Sequence, residues 1–308
     1  MTTALFSHSA CLDHDTGPHH PERAARLEAI MTALEAPEFA ELERHEAPLA
    51  TIADIERVHP RDHVVRVLAA VPKSGYASID GDTIVSPGSG EAALRAAGAV
   101  IGAVDAVFGG SATNAFCAVR PPGHHAEPEQ AMGFCLFNNV AIGARYAREA
   151  YGARRVAIID FDVHHGNGSQ ALIETDASIF YASTHQSPLY PGTGHARETA
   201  LGNLVNAPLR PGSGGPEFRH AFSEIIFPAL GHFAPDLLFI SAGFDAHRDD
   251  PLANLQLDES DYAWVTSQLV GFAQRYCHGR LVSSLEGGYD LDALGRSVAV
   301  HVAALMAG

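Results

Sequence analysis

At 308 residues with 46% hydrophobic content, the chain is long enough for one large α/β domain or two smaller ones. Its net charge of -16 opposes nucleic-acid binding, which needs a basic face to neutralise phosphates, and suits a cationic partner better. No run of about 18 apolar residues occurs and the N-terminus, MTTALFSHSACLDHD, lacks a basic region followed by an apolar one, so a cytoplasmic protein without membrane or nucleic-acid partners is expected.

In chain order, strand-length apolar runs fall at 114–119 (NAFCAV), 155–161, 178–183 (SIFYAS), 236–241 (DLLFIS) and 280–285 (RLVSSL). Segments 89–108, 134–150, 216–233, 258–276 and 290–306 carry apolar residues at three- and four-residue spacing, the helical period. Strands alternating with helices predict a parallel sheet covered on both faces. No linker, charge block or repeat divides the chain, so residues 1–308 are read as one domain. Cys11, Cys117, Cys135 and Cys277 show no CxxC spacing, which argues for reduced thiols rather than a zinc ribbon or a disulfide framework.

Four of the predicted strands run into polar segments: RPPGHHAE, DVHHGNG, AGFDAHRDDP and EGGYD. Open α/β sheets bind ligands at the carboxyl ends of their strands. Within VAIIDFDVHHGNG, a strand persisting through residue 164 would put Asp160, Asp162 and His164 on one face. Two carboxylates together are costly to bury unless a cation compensates them, and Asp with His is an ordinary zinc ligand set. Asp245, just past DLLFIS, supplies a third ligand, and three protein ligands leave a position open for water and substrate. The adjacent His124 and His125 offer one imidazole to take a proton from water and another to hold charge, with Asp160 and Asn167 near enough to orient them. After Glu286, two glycines let the backbone approach closely and leave Tyr289 able to donate to an oxyanion.

HHPE (19–22), DGDT (80–83), RPPGHHAE (120–127), GFCLFNN (133–139), DFDVHHGNG (160–168), YPGTG (190–194), AGFDAHRDDPL (242–252) and LEGGYD (285–290) occur in that order. Together they resemble the histone deacetylase and acetylpolyamine amidohydrolase superfamily, of the class II type common in bacteria. The resemblance implies a three-layer arginase/deacetylase fold with a central eight-stranded parallel sheet. It also implies zinc-dependent removal of acetyl or other short acyl groups from amines such as acetyl-lysine or acetylpolyamines. Asp162, His164 and Asp245 match the ligands of one zinc per chain, with iron an alternative metal. His125 matches the general base and acid, His124 its electrostatic partner, Asp160 the acid paired with His124, and Tyr289 the phenol that polarises the carbonyl. Asn167 stands where some relatives carry aspartate, and a neutral partner leaves His125 less basic.

By the same resemblance, Phe134 and Tyr190 are the walls of an acyl-lysine tunnel completed by Gly133 and Gly288. Asp82 is a rim carboxylate that grips substrate backbone, and Arg26 is a buried arginine near an internal acetate channel. Polyamine-specific relatives place an acid near Leu252, which the apolar residue here disfavours. A structural potassium ion is implied at Asp160, Asp162 and His164 with Ser183 and the backbone around Thr184. Two readings stand beside this one: a ureohydrolase with paired manganese ions, and a non-catalytic binder of acetylated ligands. The segments 10–20 and 72–90 are placed to pack against the rim or a second subunit, so a homo-oligomer is possible.

Overall fold

Runs such as VAIID and LLFISA are apolar without alternation, the pattern of strands covered on both faces, and every residue of both is buried. The computed structural model describes residues 2–308. Its main sheet has eight strands: β1 (Thr3–Ser7), β2 (Glu43–Glu46), β3 (Asn114–Cys117), β4 (Val156–Asp160), β5 (Ile179–Gln186), β6 (Leu204–Leu209), β7 (Leu237–Ala242) and β8 (Leu281–Leu285). They lie in the order β2-β1-β3-β8-β7-β4-β5-β6, and every neighbouring pair is parallel.

Six helices have ten or more residues: α1 (Ala24–Ala33), α2 (Arg61–Ala70), α3 (Ser89–Gly109), α4 (Asn139–Tyr151), α5 (Glu259–Tyr276) and α6 (Leu291–Met306). Register shows how they cover the sheet. Phe116 and Ser283 are partners across β3 and β8, and both meet His301 of α6. Ile240 of β7 is paired with Ser283, so its neighbour Phe239 points the other way, where Gly143 of α4 packs closely against it and against Val100 of α3. Helix α3 is long and apolar enough by length and composition to cross a membrane, but two-thirds of its apolar window is buried, packed on β1, β3 and α4.

Three strands and two helices depart from the sequence expectations. Strands β1, β2 and β6 were not read from their local pattern. β2 is an exposed edge strand, ERHE, with no apolar face to signal it, and β6, the other edge, contains Asn206 and Pro208. The helix expected over 134–150 begins only at Asn139, because the Asn138 side chain accepts from the Ala141 N–H and caps it there. The helix expected over 216–233 is three pieces, with a π-helical stretch at Ala221–Ile226 just ahead of Pro228. Proline has no N–H for the helical ladder, and a widened turn absorbs the mismatch.

Candidate metal centre and tunnel

β4 delivers Asp160 as its last residue and ends there, so the strand expected to continue through His164 is corrected. Beyond it the backbone turns out of the sheet, because its amides find side-chain acceptors instead of ladder partners. Asp162 N–H donates to Asp160 Oδ1 at 3.1 Å, Val163 N–H to Asp245 Oδ1 at 2.8 Å, and His164 N–H to Asp162 Oδ1 at 2.9 Å. Convergence is achieved by this loop rather than by the pleat. His164 Nδ1 lies 3.1 Å from both Asp162 Oδ1 and Asp245 Oδ2.

Asp245 reaches the cluster from the turn after β7. There is room for it only because residue 287 is glycine: a Cβ there would come within 2.1 Å of Asp245 Oδ2. The Gly287 N–H in turn donates to Asp162 Oδ2 at 2.8 Å.

The donor set fits a divalent cation. Ligand atoms of Asp162, His164 and Asp245 lie within 4.8 Å of one another, all three residues buried, and tetrahedral zinc with bonds near 2.0–2.1 Å sets its ligands roughly 3.3 Å apart. The electrostatics agree. Burial, followed by the charge of Asp162, pushes the Asp245 carboxyl up to about 7. For His164, burial is outweighed by its hydrogen bonds to Asp162 and Asp245, and the imidazole is raised to about 10. The site gathers positive charge, which a dication supplies more strongly than protons do. Among the described residues, one such group of His, Cys, Asp and Glu occurs.

Beside it stand the two histidines, ring centroids 4.0 Å apart. His124 Nδ1 lies 3.0 Å from Asp160 Oδ2, which also accepts from the Tyr181 hydroxyl. Although burial disfavours its charge, the carboxylates of Asp160 and Asp162 raise His124 to about 10. His125 Nδ1 lies 2.8 Å from Asn167 Oδ1, an acceptor only, which puts the proton on Nδ1 and leaves Nε2 with its lone pair. Burial, then the neighbouring His124 and His164, hold His125 well below the usual imidazole range. The pair is thus split, one ring facing a carboxylate that favours its charged form and the other a neutral amide beside cationic neighbours that disfavour it.

Above the cluster is a cavity of about 230 Å³ lined by His124, His125, His164, Gly133, Phe134, Tyr190, Leu252, Asp82, Gly287 and Tyr289, together with Pro122 and Leu189. Tyr190 stands edge-on to His125, with centroids 5.1 Å apart. Gly133 has φ 57°, and a Cβ there would come within 2.6 Å of the His125 ring. Phe134 also has positive φ, 69°, a conformation that costs about 1–2 kcal/mol for an L-residue and is held by its N–H donating to Thr83 Oγ1 at 3.2 Å.

Neither Arg26, expected as a buried arginine, nor Gly288, expected at the substrate, lines the cavity. Arg26 is wholly buried with its guanidinium 4.8 Å from the Tyr289 ring centre, and it donates to the carbonyls of Gly288 and Glu286 at 2.5 Å each. Gly288 holds the Tyr289 loop, while Gly287 lines the cavity. Ser183 lies opposite Asp160 in the β4–β5 register, and Thr184 carries a buried hydroxyl without a hydrogen-bond partner.

Sequence reasoning assigned no part to Glu22, Asp250 or Glu286, all buried. Glu22 lies between Arg26 and Arg120, and Asp250 Oδ2 accepts from the Tyr289 N–H at 2.7 Å while its Oδ1 accepts from the Leu252 N–H at 3.0 Å. Only Glu286, an acid inside the apolar and glycine-rich LEGGY, carried a local signal.

Residues 20–305 match the family model of the histone deacetylase domain. The chain is 41% identical to Histone deacetylase 14, chloroplastic, of Arabidopsis thaliana, an alignment covering 98% of this chain and 76% of that protein. It is 40% identical to a Probable deacetylase of Archaeoglobus fulgidus, covering 100% and 87%, and 37% identical to the Histone deacetylase-like amidohydrolase of Pseudomonas aeruginosa, covering 94% and 82%. The crystal structure of the HDA15 HD domain superposes with a TM-score of 0.94 at 36% identity, covering 99% of this chain and 90% of that one. The eight-stranded parallel sheet is therefore that of the arginase/deacetylase fold, and the chain belongs to the histone deacetylase family of hydrolases.

Proposed function

We propose that the protein is a zinc-dependent amidohydrolase that removes acetyl or other short acyl groups from acylated amines, acting on acyl-lysine in preference to acetylpolyamines. The observation carrying this reading is the split histidine pair beside a three-ligand cluster at the foot of a narrow, largely apolar cavity. Asp162, His164 and Asp245 hold the metal, which when bound supplies Lewis-acid polarisation of the acyl carbonyl and of water.

The chain's own groups do the proton work. His125 Nε2 takes a proton from the attacking water as its oxygen bonds to the carbonyl carbon. The Tyr289 hydroxyl donates a hydrogen bond to the oxygen that gains negative charge. His125 then passes its proton to the amine nitrogen as the carbon–nitrogen bond breaks, and the second proton of the water ends on the released amine, leaving a carboxylate and an ammonium. His124 stays protonated against Asp160 throughout and adds a fixed positive charge. Phe134 and Tyr190 sandwich the alkyl chain of the amine, and Asp82 accepts a backbone N–H at the rim.

That one three-ligand cluster occurs among the described residues supports one catalytic metal rather than a manganese pair. Leu252 at the cavity wall offers a polyamine no charge to pair with, which supports the acyl-lysine preference. A potassium ion is assigned to Asp160, Asp162 and His164 with Ser183 and the Thr184 backbone, supported by the register of Asp160 with Ser183. Competition kinetics with an acetyl-lysine peptide, acetylputrescine and acetylspermidine test the substrate class. The peptide is expected to have the highest kcat/KM, and a preference for either polyamine overturns that assignment.

A further inference from the structure

Glu286 is wholly buried at the end of β8, yet the scheme above gives its carboxylate no part. Its backbone is pinned on both sides: the N–H donates to the Ala242 carbonyl at 2.9 Å, and the carbonyl accepts from Arg26 at 2.5 Å. From that fixed base the side chain crosses to the loop after β3. One oxygen, Oε2, accepts from the Gly123 N–H at 2.7 Å and from the His124 N–H at 3.1 Å. The other, Oε1, has no hydrogen-bond partner.

Burying a carboxyl group for two amide contacts through one oxygen is expensive for the fold, so the value of the contact lies in where it holds those amides. They belong to the two consecutive peptides that lead into His124, whose neighbour is His125. Three residues after Glu286 comes Tyr289, so one side chain ties the segment carrying both imidazoles to the segment carrying the phenol. A shift of either by an ångström is enough to cost orders of magnitude in rate.

We infer that Glu286 is a positioning residue that sets the His124–His125 pair in register with Tyr289 through the Gly123 and His124 amides. This rests on the amide-hydrolysis reading for its catalytic consequence but not for its structural one. Glu286→Asp keeps the charge and withdraws the acceptor by about 1.5 Å, one carbon–carbon bond. Glu286→Gln keeps an acceptor at full reach and removes the charge.

In the metal-loaded protein, the Asp variant is expected to exchange the Gly123 and His124 amide protons at least tenfold faster than the native chain. Its kcat on an acetyl-lysine peptide is expected to fall about thirtyfold, with KM within threefold and metal content unchanged. The Gln variant is expected to stay within threefold of native in exchange and in kcat. Native exchange at both amides in the Asp variant overturns the proposal, as does a Gln variant as impaired as the Asp one. Amide exchange needs no substrate, so a native chain that cleaves no acyl-lysine sinks the functional reading while this test of Glu286 still stands.

Discussion

Tyr289 is held by contacts to its backbone and ring rather than to its hydroxyl: Asp250 takes its N–H, Arg26 lies over its ring, and Gly288 before it is fixed by Arg26. Tyr289→Phe therefore leaves the loop in place and removes only the hydroxyl proposed as the oxyanion donor. Steady-state kinetics should show kcat lowered by about 10²- to 10³-fold with zinc content and KM little changed, and a variant with near-native turnover would remove the phenol from the mechanism. Asp245→Asn tests a different link. It keeps the shape of the side chain and takes away a ligand charge, so elemental analysis should find the metal lost or much depleted; native occupancy would remove Asp245 from the ligand set. At this scale the sequence was most readable where chemistry forbids a structural explanation: paired acids and histidines at strand ends. It was least readable for Glu22, Asp250 and Glu286, whose roles depend on partners 39 to 163 residues away that no local pattern announces.

The elements that place these side chains show the same division. Central strands β4 and β7 were legible because burial on both faces demands largely apolar runs, whereas β2 and β6 at the edges carry no such demand. The loop from Asp160 to His164 was misread as strand for a related reason. Alternating acids look like a pleat in sequence, but their carboxylates compete with the ladder for backbone amides. Close helix-on-sheet packing is tested at Gly143 of α4, where a Cβ would approach Val100 Cγ1 to 2.4 Å and the Phe239 ring to 3.0 Å. Gly143→Ala removes a flexible residue from a helix interior, a gain of up to about 1 kcal/mol, but forces apart α3, α4 and β7, an overpacking cost of about 1–3 kcal/mol. Denaturant unfolding is expected to show net destabilisation with kcat per folded molecule retained; a stabilised variant would contradict the close packing of α3, α4 and β7 at this glycine.

Across the whole molecule, the buried histidines outside the site tie stability to pH. His59 donates from Nδ1 to the Pro128 carbonyl and accepts at Nε2 from the Asn138 N–H, an arrangement that only the neutral ring satisfies, and burial lowers it to about 4. His301 lies between Thr266 and Ser283, and burial lowers it to about 3. Both are depressed from 6.5, so below that pH the unfolded chain binds protons the folded one refuses. Glu22 adds to this at lower pH: against its burial, Arg120 holds it down to about 2, so its contribution is present above 4.5 and is lost as pH falls toward 2. The raised carboxyl of Asp245 works in the opposite direction, so the test is a difference: His301→Gln is expected to lessen the fall in unfolding free energy between pH 7.5 and 5 by on the order of 1–2 kcal/mol; an unchanged pH profile would contradict the burial of His301 as a neutral ring.

The central claim, that this fold and cluster form a zinc-dependent deacylase, is tested most directly by one assay: release of acetate, with formation of the unmodified lysine side chain, from an acetyl-lysine peptide by protein loaded with one zinc per chain. Turnover is predicted to vanish on chelation and return when zinc is restored. Undiminished turnover after complete removal of the metal, or none at full zinc occupancy, would contradict the account.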